Sequence, residues 1–181
     1  MNLRVAIATC IVLVTAATLA AADENANLVP NPGFEQSIEF HPKDWKKGLT
    51  VWRFYEINLP IKGGTDSMIA HAGKRSYRIE GTGKAFLHSG FFEVKPSTKY
   101  KLALWCREGA PEAEVFWWVK EGVETDKRKL SKANLKKTAE KDGWTLYQGE
   151  AISAPDAKKA YIRIIAQGNL CVDDVSLMEM R

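Results

Sequence analysis

The sequence predicts an all-β protein, a jelly-roll β-sandwich of two antiparallel sheets. Six segments rich in β-branched and aromatic residues are candidate strands, and clusters of Gly, Pro, Asn, Asp and Ser separate them. Many short strands at fairly even spacing are typical of sandwiches and jelly rolls. The 181 residues, 45% of them hydrophobic, are enough for one self-sufficient core.

Residues 1–22 are expected to be a secretory signal peptide, and residues 23–181 the folded domain. A basic start precedes an uncharged apolar run over residues 5–19, and small residues end at Ala22, before the acidic Asp23. The run is too short to span a bilayer comfortably, which takes about 20 apolar residues. We therefore expect a secreted protein, extracellular or periplasmic, with no membrane attachment after cleavage. An uncleaved anchor is the alternative.

The predicted strands and turns alternate along the rest of the chain. The strands are 51–57, 99–107, 114–120, 144–152, 160–166 and 170–178. The turns with the strongest signals are 62–64, 81–83, 95–97, 109–111, 154–156 and 167–169.

Alternation within each strand separates core from surface, because successive side chains point to opposite faces of a sheet. In strand 99–107 the apolar set runs from Tyr100 to Cys106, which leaves Trp105 outward among charged residues. The next strand has Trp117 inward and Trp118 outward by the same rule.

Three later residues also fall on the outward side. If Leu146 and Ile152 belong to the core, Tyr147 faces outwards, and Tyr161 and Arg163 do so in the following strand. In the last strand the inward side carries Val175 and Leu177 and also Cys171 and Asp173. Trp45 and Trp144 are better placed in the core or as loop anchors.

Cys106 and Cys171 both fall on inward positions by this alternation. Export would permit a disulfide between them. The alternative is two separate buried thiols, which behave as small hydrophobic side chains.

Segment 120–141 is unusually basic, with eight Lys or Arg residues against four acids. It is expected to be a solvated loop or a short helix capped by Ser131. The sharper interpretation is a patch for an anionic partner, and outside the cell an acidic polysaccharide fits better than nucleic acid.

Catalysis has little support in the sequence. His41, His71 and His88 have no metal-binding spacing, and no nucleophile elbow or phosphate loop is present. Asp173 and Asp174 are neighbours on a strand, so they face opposite ways and cannot form an acid–base pair across a sugar.

Five stretches in order carry a resemblance to a known family. They are Asn-Leu-Val-Pro-Asn-Pro-Gly-Phe-Glu at 27–35, Pro-Lys-Asp-Trp at 42–45, and the segments 71–79, 94–102 and 171–177. The set resembles the jelly-roll carbohydrate-binding modules of families 4, 9 and 22, which accompany cellulases and xylanases. The resemblance covers nearly all of the chain after the leader.

The resemblance implies a non-catalytic β-sandwich with a structural calcium ion and an aromatic-lined concave face. It places Glu35 and Asp173 at the calcium site, with carbonyl oxygens near Gly73 and Lys74. Carboxylates and carbonyls are the oxygen ligands that calcium prefers. From the residues alone, a buried Asp173 needs some partner, and a salt bridge or backbone hydrogen bond would also serve.

The outward aromatic residues carry the binding hypothesis. Sugar rings present C–H faces that stack on aromatic rings, and exposed aromatic clusters mark binding sites. The alternative is that loops cover these strands and the aromatics form a second packing layer. The predicted carbohydrate-binding residues are Trp105, Trp118, Tyr147, Tyr161 and Arg163.

The predicted function is therefore a secreted, monomeric, non-catalytic module that binds a polysaccharide or oligosaccharide. A structural or protein-interaction module on the same fold, without sugar affinity, is the main alternative. A small polysaccharide-active enzyme is the third.

Overall fold

The structure, a computed structural model, describes residues 26–36, 52–119 and 128–181. The predicted signal peptide, His41, Trp45 and residues 120–127 lie outside the described residues. The described strands are β1 (Arg53–Glu56), β2 (Ile61–Asp66), β3 (Ser76–Gly81), β4 (Lys84–His88), β5 (Phe92–Glu93), β6 (Lys99–Arg107), β7 (Glu112–Trp118), β8 (Arg128–Ala133), β9 (Lys136–Lys141), β10 (Trp144–Ile152), β11 (Lys159–Gln167) and β12 (Leu170–Glu179).

The strands form two antiparallel six-stranded sheets that pack face to face. Sheet A has the order β1-β4-β11-β7-β8, with β5 beside β11, and sheet B has the order β2-β3-β12-β6-β10-β9. This confirms the predicted β-sandwich. All six predicted strands are present, with ends that differ by at most two residues.

The core lies between the inner faces of the sheets and follows the predicted alternation in most strands. In β6, Tyr100, Leu102, Leu104 and Cys106 are all buried, and Trp117 of β7 is buried opposite them. Aromatic rings add to this layer, since Tyr100 and Trp117 lie 5.9 Å apart between ring centroids.

The start of the described chain joins the middle of sheet B. The side chain of Asn27 donates to the Val175 carbonyl at 3.0 Å and accepts from the Leu177 N–H at 3.1 Å. The Leu28 N–H also donates to the Leu177 carbonyl, at 3.1 Å. Residues 27–28 are therefore held along β12.

The turn predicted at 62–64 is instead part of strand β2. A Cβ on Gly63 would lie 2.7 Å from the ring of Phe54 and 2.9 Å from the Tyr77 hydroxyl. The glycine is needed here for close packing of an aromatic ring, not for a turn.

The prediction of a loop or a short helix capped by Ser131 is wrong, because strands β8 and β9 occupy this part of the basic segment. Ser131 lies inside a strand, where its hydroxyl accepts from the Trp117 indole N–H at 2.8 Å and donates to the Ile152 carbonyl at 3.2 Å. Strands β8 and β9 sit at the edges of sheets A and B respectively.

The predicted alternation is wrong in β10. Tyr147 lies opposite Leu104, packs against the core and therefore faces inwards. Leu146 lies opposite Trp105 on the outer side, and Ile152 is 61% exposed. The apolar character of these two outward residues caused the error.

The face of sheet B to which alternate side chains point changes partway along β12. Asp173 lies opposite Trp105, and Cys171 also faces outwards, contrary to the prediction. A β-bulge follows Asp173 and breaks the strict alternation of faces. Val172 before the bulge and Val175 after it therefore both point into the core.

The two cysteines are not bonded to each other. Cys106 points into the core, whereas Cys171 lies on the other side of sheet B with its sulfur 3.1 Å from the Ser76 hydroxyl. The two side chains leave sheet B in opposite directions. The predicted disulfide is therefore wrong, and the alternative of two separate buried thiols is correct.

Across residues 26–36, 52–119 and 128–181, no helix is long and apolar enough to cross a membrane.

Candidate functional site

The outer face of sheet A, which points away from the core, carries cross-strand rows of side chains. One row is polar and crosses five strands in register; it consists of Arg53, His88, Arg163, Glu114 and Lys132. The row on one side of it consists of Tyr161, Phe116 and Leu130. The row on the other side consists of Tyr55, Phe86 and Ile165, with Glu112 at its end. A polar strip thus runs between two mostly apolar strips, over a width of about 19 Å.

The aromatic side chains of this face pack against one another at its centre. Phe116 and Tyr161 are parallel, with centroids 4.7 Å apart and planes at 2°. Phe91, which precedes β5, meets Tyr161 and Trp118 edge-on at 5.4 Å and 5.5 Å. Tyr161 is buried, whereas Phe91, Phe116 and Trp118 keep part of their surface exposed. Tyr161 therefore supports the rings that a ligand could touch.

Arg163 is fixed in the middle of the polar row. Its guanidinium lies 4.6 Å from the ring centroid of Phe86 and 4.5 Å from that of Phe116. Its Nε donates to Glu114 Oε2 at 2.7 Å, and its Nη2 donates to the same oxygen. Glu114 is nearly buried, so this ion pair is shielded from solvent and rigid.

A cleft of about 900 Å³ adjoins the Trp118 end of the face. Its wall is mostly apolar and includes Val94, Pro96 and Pro155 beside Trp118, with Lys159 at the rim. The cleft extends the aromatic surface beyond the edge of β7.

The outer face of sheet B is covered in part by the loop that joins β2 to β3. His71 of this loop stacks on Trp105 at 4.0 Å between centroids and meets Trp144 edge-on at 5.8 Å. Its Nδ1 lies 2.7 Å from Asp174 Oδ2. Trp144 is buried under this loop and lies outside the core between the sheets. Of the two roles predicted for it, core residue or loop anchor, the second is correct.

The five predicted carbohydrate-binding residues do not lie on one surface. Trp118, Tyr161 and Arg163 come together on sheet A, as the alternation implied. Trp105 belongs to sheet B and faces the opposite side of the sandwich, because β6 pairs with β10 and β12. Tyr147 faces the core.

The prediction missed several aromatic residues of the sheet A face. Phe116 is two residues from Trp118 in the same predicted strand, and Tyr55 lies in the strand predicted at 51–57. The alternation of side chains could therefore have placed both on the outer face. Phe86 lies in β4, whose sequence Lys-Ala-Phe-Leu-His alternates but was too short to stand out. Phe91 lies between strands, where alternation says nothing.

The residues of the predicted calcium site lie close together around the β2–β3 loop. Glu35 Oε1 accepts from the Lys74 N–H at 2.7 Å and from the Arg75 N–H at 3.0 Å. Gly73 has a φ of 66°, and a Cβ there would overlap the Glu35 carboxylate. The carboxylate of Glu35 thus holds one side of this loop.

Asp173 holds the other side of the loop. Its Oδ2 accepts from the N–H groups of His71 at 2.7 Å and Ala72 at 3.3 Å, and its Oδ1 from the N–H of Asp174 at 2.8 Å. The side chain is fully buried, and this burial raises the pKa of Asp173 to about 6.

The chemistry of these donors fits a calcium ion. A Cβ on Gly33 would lie 3.4 Å from Asp174 Oδ1 and 3.6 Å from Asp173 Oδ1, so carboxylate oxygens surround this glycine. Within the described residues, no three His, Cys, Asp or Glu side chains group to hold a metal ion. The other ligands would therefore be main-chain oxygens, which calcium accepts. Calcium binding stays a prediction.

No protein-family model matches the sequence, and no curated protein matches it. Solved structures do. The CBM22-1 xylan-binding domain from Paenibacillus barcinonensis is 14% identical with a TM-score of 0.53, and the match covers 89% of this chain and 99% of that one. A family 16 carbohydrate-binding module is 20% identical with a TM-score of 0.51, over 84% and 100% of the two chains.

A third match is the enzymatically active domain of tailspike protein 4 from bacteriophage CBA120. It is 12% identical with a TM-score of 0.56, over 85% of this chain. The chain spans only 21% of the length of that protein. Identities this low establish the architecture alone: the chain has the jelly-roll β-sandwich fold of carbohydrate-binding modules.

Proposed function

We propose that this chain is a non-catalytic module that binds a polysaccharide across the outer face of sheet A. The observation that carries the proposal is the band of part-exposed aromatic rings around Phe116, with a fixed ion pair beside it. Similarity to the fold of carbohydrate-binding modules supports the proposal.

The face offers what a sugar ring requires. Part-exposed Phe116 and Trp118 provide flat apolar surfaces for the C–H faces of pyranose rings. The neighbouring polar row offers charged groups for sugar hydroxyls, and charge-assisted hydrogen bonds are the stronger ones. Because Tyr161 and Glu114 already hold Phe116 and Arg163 in place, little ordering is needed on binding.

The polar row supports binding rather than hydrolysis. Glycoside hydrolysis uses two carboxyl groups that flank the bond to be cleaved. Glu114, the one carboxylate of the central row, is engaged by Arg163, and Glu112 at the end of β7 accepts from the Gln167 amide at 3.1 Å. Neither of these two glutamates lines the cleft beside Trp118.

The setting of the proposed function is outside the cytoplasm, with the module acting as a monomer. The apolar leader over residues 5–19 and the small residues before Asp23 support export. A protein-interaction role on the same face is the alternative, and the 46% exposed Leu130 at its margin is the feature that favours it.

Affinity electrophoresis in gels that contain neutral or acidic polysaccharides tests the proposal. Trp118→Ala should abolish most of the retardation, because it removes a ring of the sheet A face. Trp105→Ala, the same change on the opposite face, should leave retardation intact. Loss with Trp105→Ala alone would place the site on sheet B. Absence of retardation in every gel by the folded wild-type protein would favour the protein-interaction alternative.

A further inference from the structure

We infer that the glycan bound on the outer face of sheet A is acidic, and that Arg53 and Lys132 select its carboxylate groups. This inference rests on the proposed function and specifies its ligand class. It starts from the charges of the face: among the side chains that the structure describes, five cations, at Arg53, Lys84, Lys132, Lys159 and Arg163, stand against three acids, Glu93, Glu112 and Glu114.

The central acid is not free to repel an anionic ligand. Both Nε and Nη2 of Arg163 bind one oxygen of Glu114, and the pair is largely buried. Glu114 and Arg163 therefore cancel each other, and the remaining charge of the polar row comes from its two ends.

Arg53 stands at one end of the row with unused hydrogen-bonding capacity. Its Nη1 donates to the Tyr55 hydroxyl at 3.4 Å, whereas its Nη2 is buried and has no hydrogen-bond partner among the described residues. Buried donors are rarely left unpaired, so this guanidinium has a donor for which the described residues supply no acceptor. The planar fork of an arginine matches a carboxylate, which can accept two parallel N–H bonds.

Lys132 stands at the other end of the row, on edge strand β8. Its side chain is exposed and has no acidic partner in the described parts of the chain. Lys84, two rows from the polar row, lies 5.5 Å above the ring of Phe86 rather than beside a carboxylate. On sheet B, by contrast, Lys62, Lys99 and Arg78 are each paired with a glutamate or aspartate.

These positions suit a polymer with repeated charges. Arg53 and Lys132 stand at the two ends of the polar row, so a polymer chain lying along this row would bring a carboxylate near each of them. A neutral polysaccharide would offer the Arg53 guanidinium only uncharged oxygens, which form weaker hydrogen bonds with it than a carboxylate does.

The test compares one polymer in charged and uncharged form. Isothermal titration with polygalacturonate and with its fully methyl-esterified form isolates the carboxylate, since the sugar backbone is the same. We expect the acidic form to bind at least tenfold more tightly, and to lose this advantage as salt screens the charges. Arg53→Gln and the exposed Lys132→Gln should each weaken binding of the acid severalfold and binding of the ester much less.

Arg107→Gln on β6 is the matched control, because it removes the same charge from the outer face of sheet B. An equal loss with Arg107→Gln would show general attraction to a basic protein and overturn the inference. Equal affinity of the wild type for acid and ester would also overturn it, while the proposed function stands. Failure to bind these polymers and every neutral glycan would overturn both. Melting curves show whether Arg53→Gln folds. If Arg53→Gln does not fold, the exposed Lys132→Gln variant still tests the inference.

Discussion

Trp117 and Trp118 are neighbours in sequence but face different surroundings. Trp117 is buried between the sheets, with its indole N–H bonded to Ser131. Trp118 keeps part of its surface exposed beside Phe91 and the cleft at the end of sheet A. A single step along a strand thus separates a residue that stabilises the fold from one that is available for binding.

Alanine substitutions should separate these two roles. Trp117→Ala should destabilise the protein by about 3–5 kcal/mol, because it leaves a cavity in the core. Trp118→Ala should leave the melting midpoint nearly unchanged, because the ring is partly exposed and solvent can fill the space that it leaves. Thermal unfolding of both variants checks this. Equal destabilisation would mean that Trp118 is a packing residue rather than part of an open face.

At the scale of elements, the loop between β2 and β3 depends on carboxylates from distant parts of the chain. Glu35 and Asp173 together accept hydrogen bonds from four N–H groups in residues 71–75. This loop in turn places His71 on Trp105 and covers sheet B.

Gly73→Ala should loosen this loop. The new Cβ would overlap the Glu35 carboxylate, and the φ of 66° strains any residue with a side chain, so we expect a loss of about 1–3 kcal/mol. Gly64→Ala is the control, because a Cβ there meets nothing within 4 Å. Urea unfolding measures both. A Gly73→Ala variant as stable as Gly64→Ala would contradict this account of the loop.

Calcium should raise the melting midpoint if the oxygens around this loop bind it. A ligand that binds only the folded state stabilises it by about 2.7 kcal/mol at a hundredfold excess over Kd. The increase should shrink in Asp173→Ala and Glu35→Ala, and persist in Glu150→Ala, whose carboxylate lies on β10. Identical midpoints with calcium and with chelator would contradict the calcium prediction.

Sequence patterning predicted the strands of this fold better than the position of its site. Alternation works inside one strand, and it placed Trp105 and Trp118 outwards correctly. It says nothing about which sheet a strand joins, because the pairing of β6 with β12 and of β7 with β11 is set by contacts far apart in sequence. It also assumes regular strands, so the bulge after Asp173 reversed the predicted faces of that residue and Cys171.

At the scale of the whole molecule, the basic segment protects the borders of the sandwich. Strand β9, with Lys136, Lys137 and Lys141, is fully exposed at the edge of sheet B, and β8 forms an edge of sheet A. Edge strands present unpaired N–H and carbonyl groups, and lysines on them oppose pairing with a second molecule.

Removing these charges should promote association. The triple variant Lys136→Thr, Lys137→Thr, Lys141→Thr is expected to form dimers or aggregates that light scattering detects, since threonine favours strand pairing. The control triple Lys74→Thr, Lys99→Thr, Lys101→Thr changes net charge equally but alters no edge strand of the described sheets. Equal association of both variants would attribute the effect to net charge instead.

The attachment of residues 27–28 along β12 has a practical consequence for tethering. Asn27 and Leu177 are in hydrogen-bond contact, so two positions 150 residues apart in sequence meet in the layer of sheet B. Positions that are adjacent in space can be joined in a circular permutant or used to insert a segment into a host protein. A graft or surface anchor made through this junction would leave the outer face of sheet A turned towards the medium.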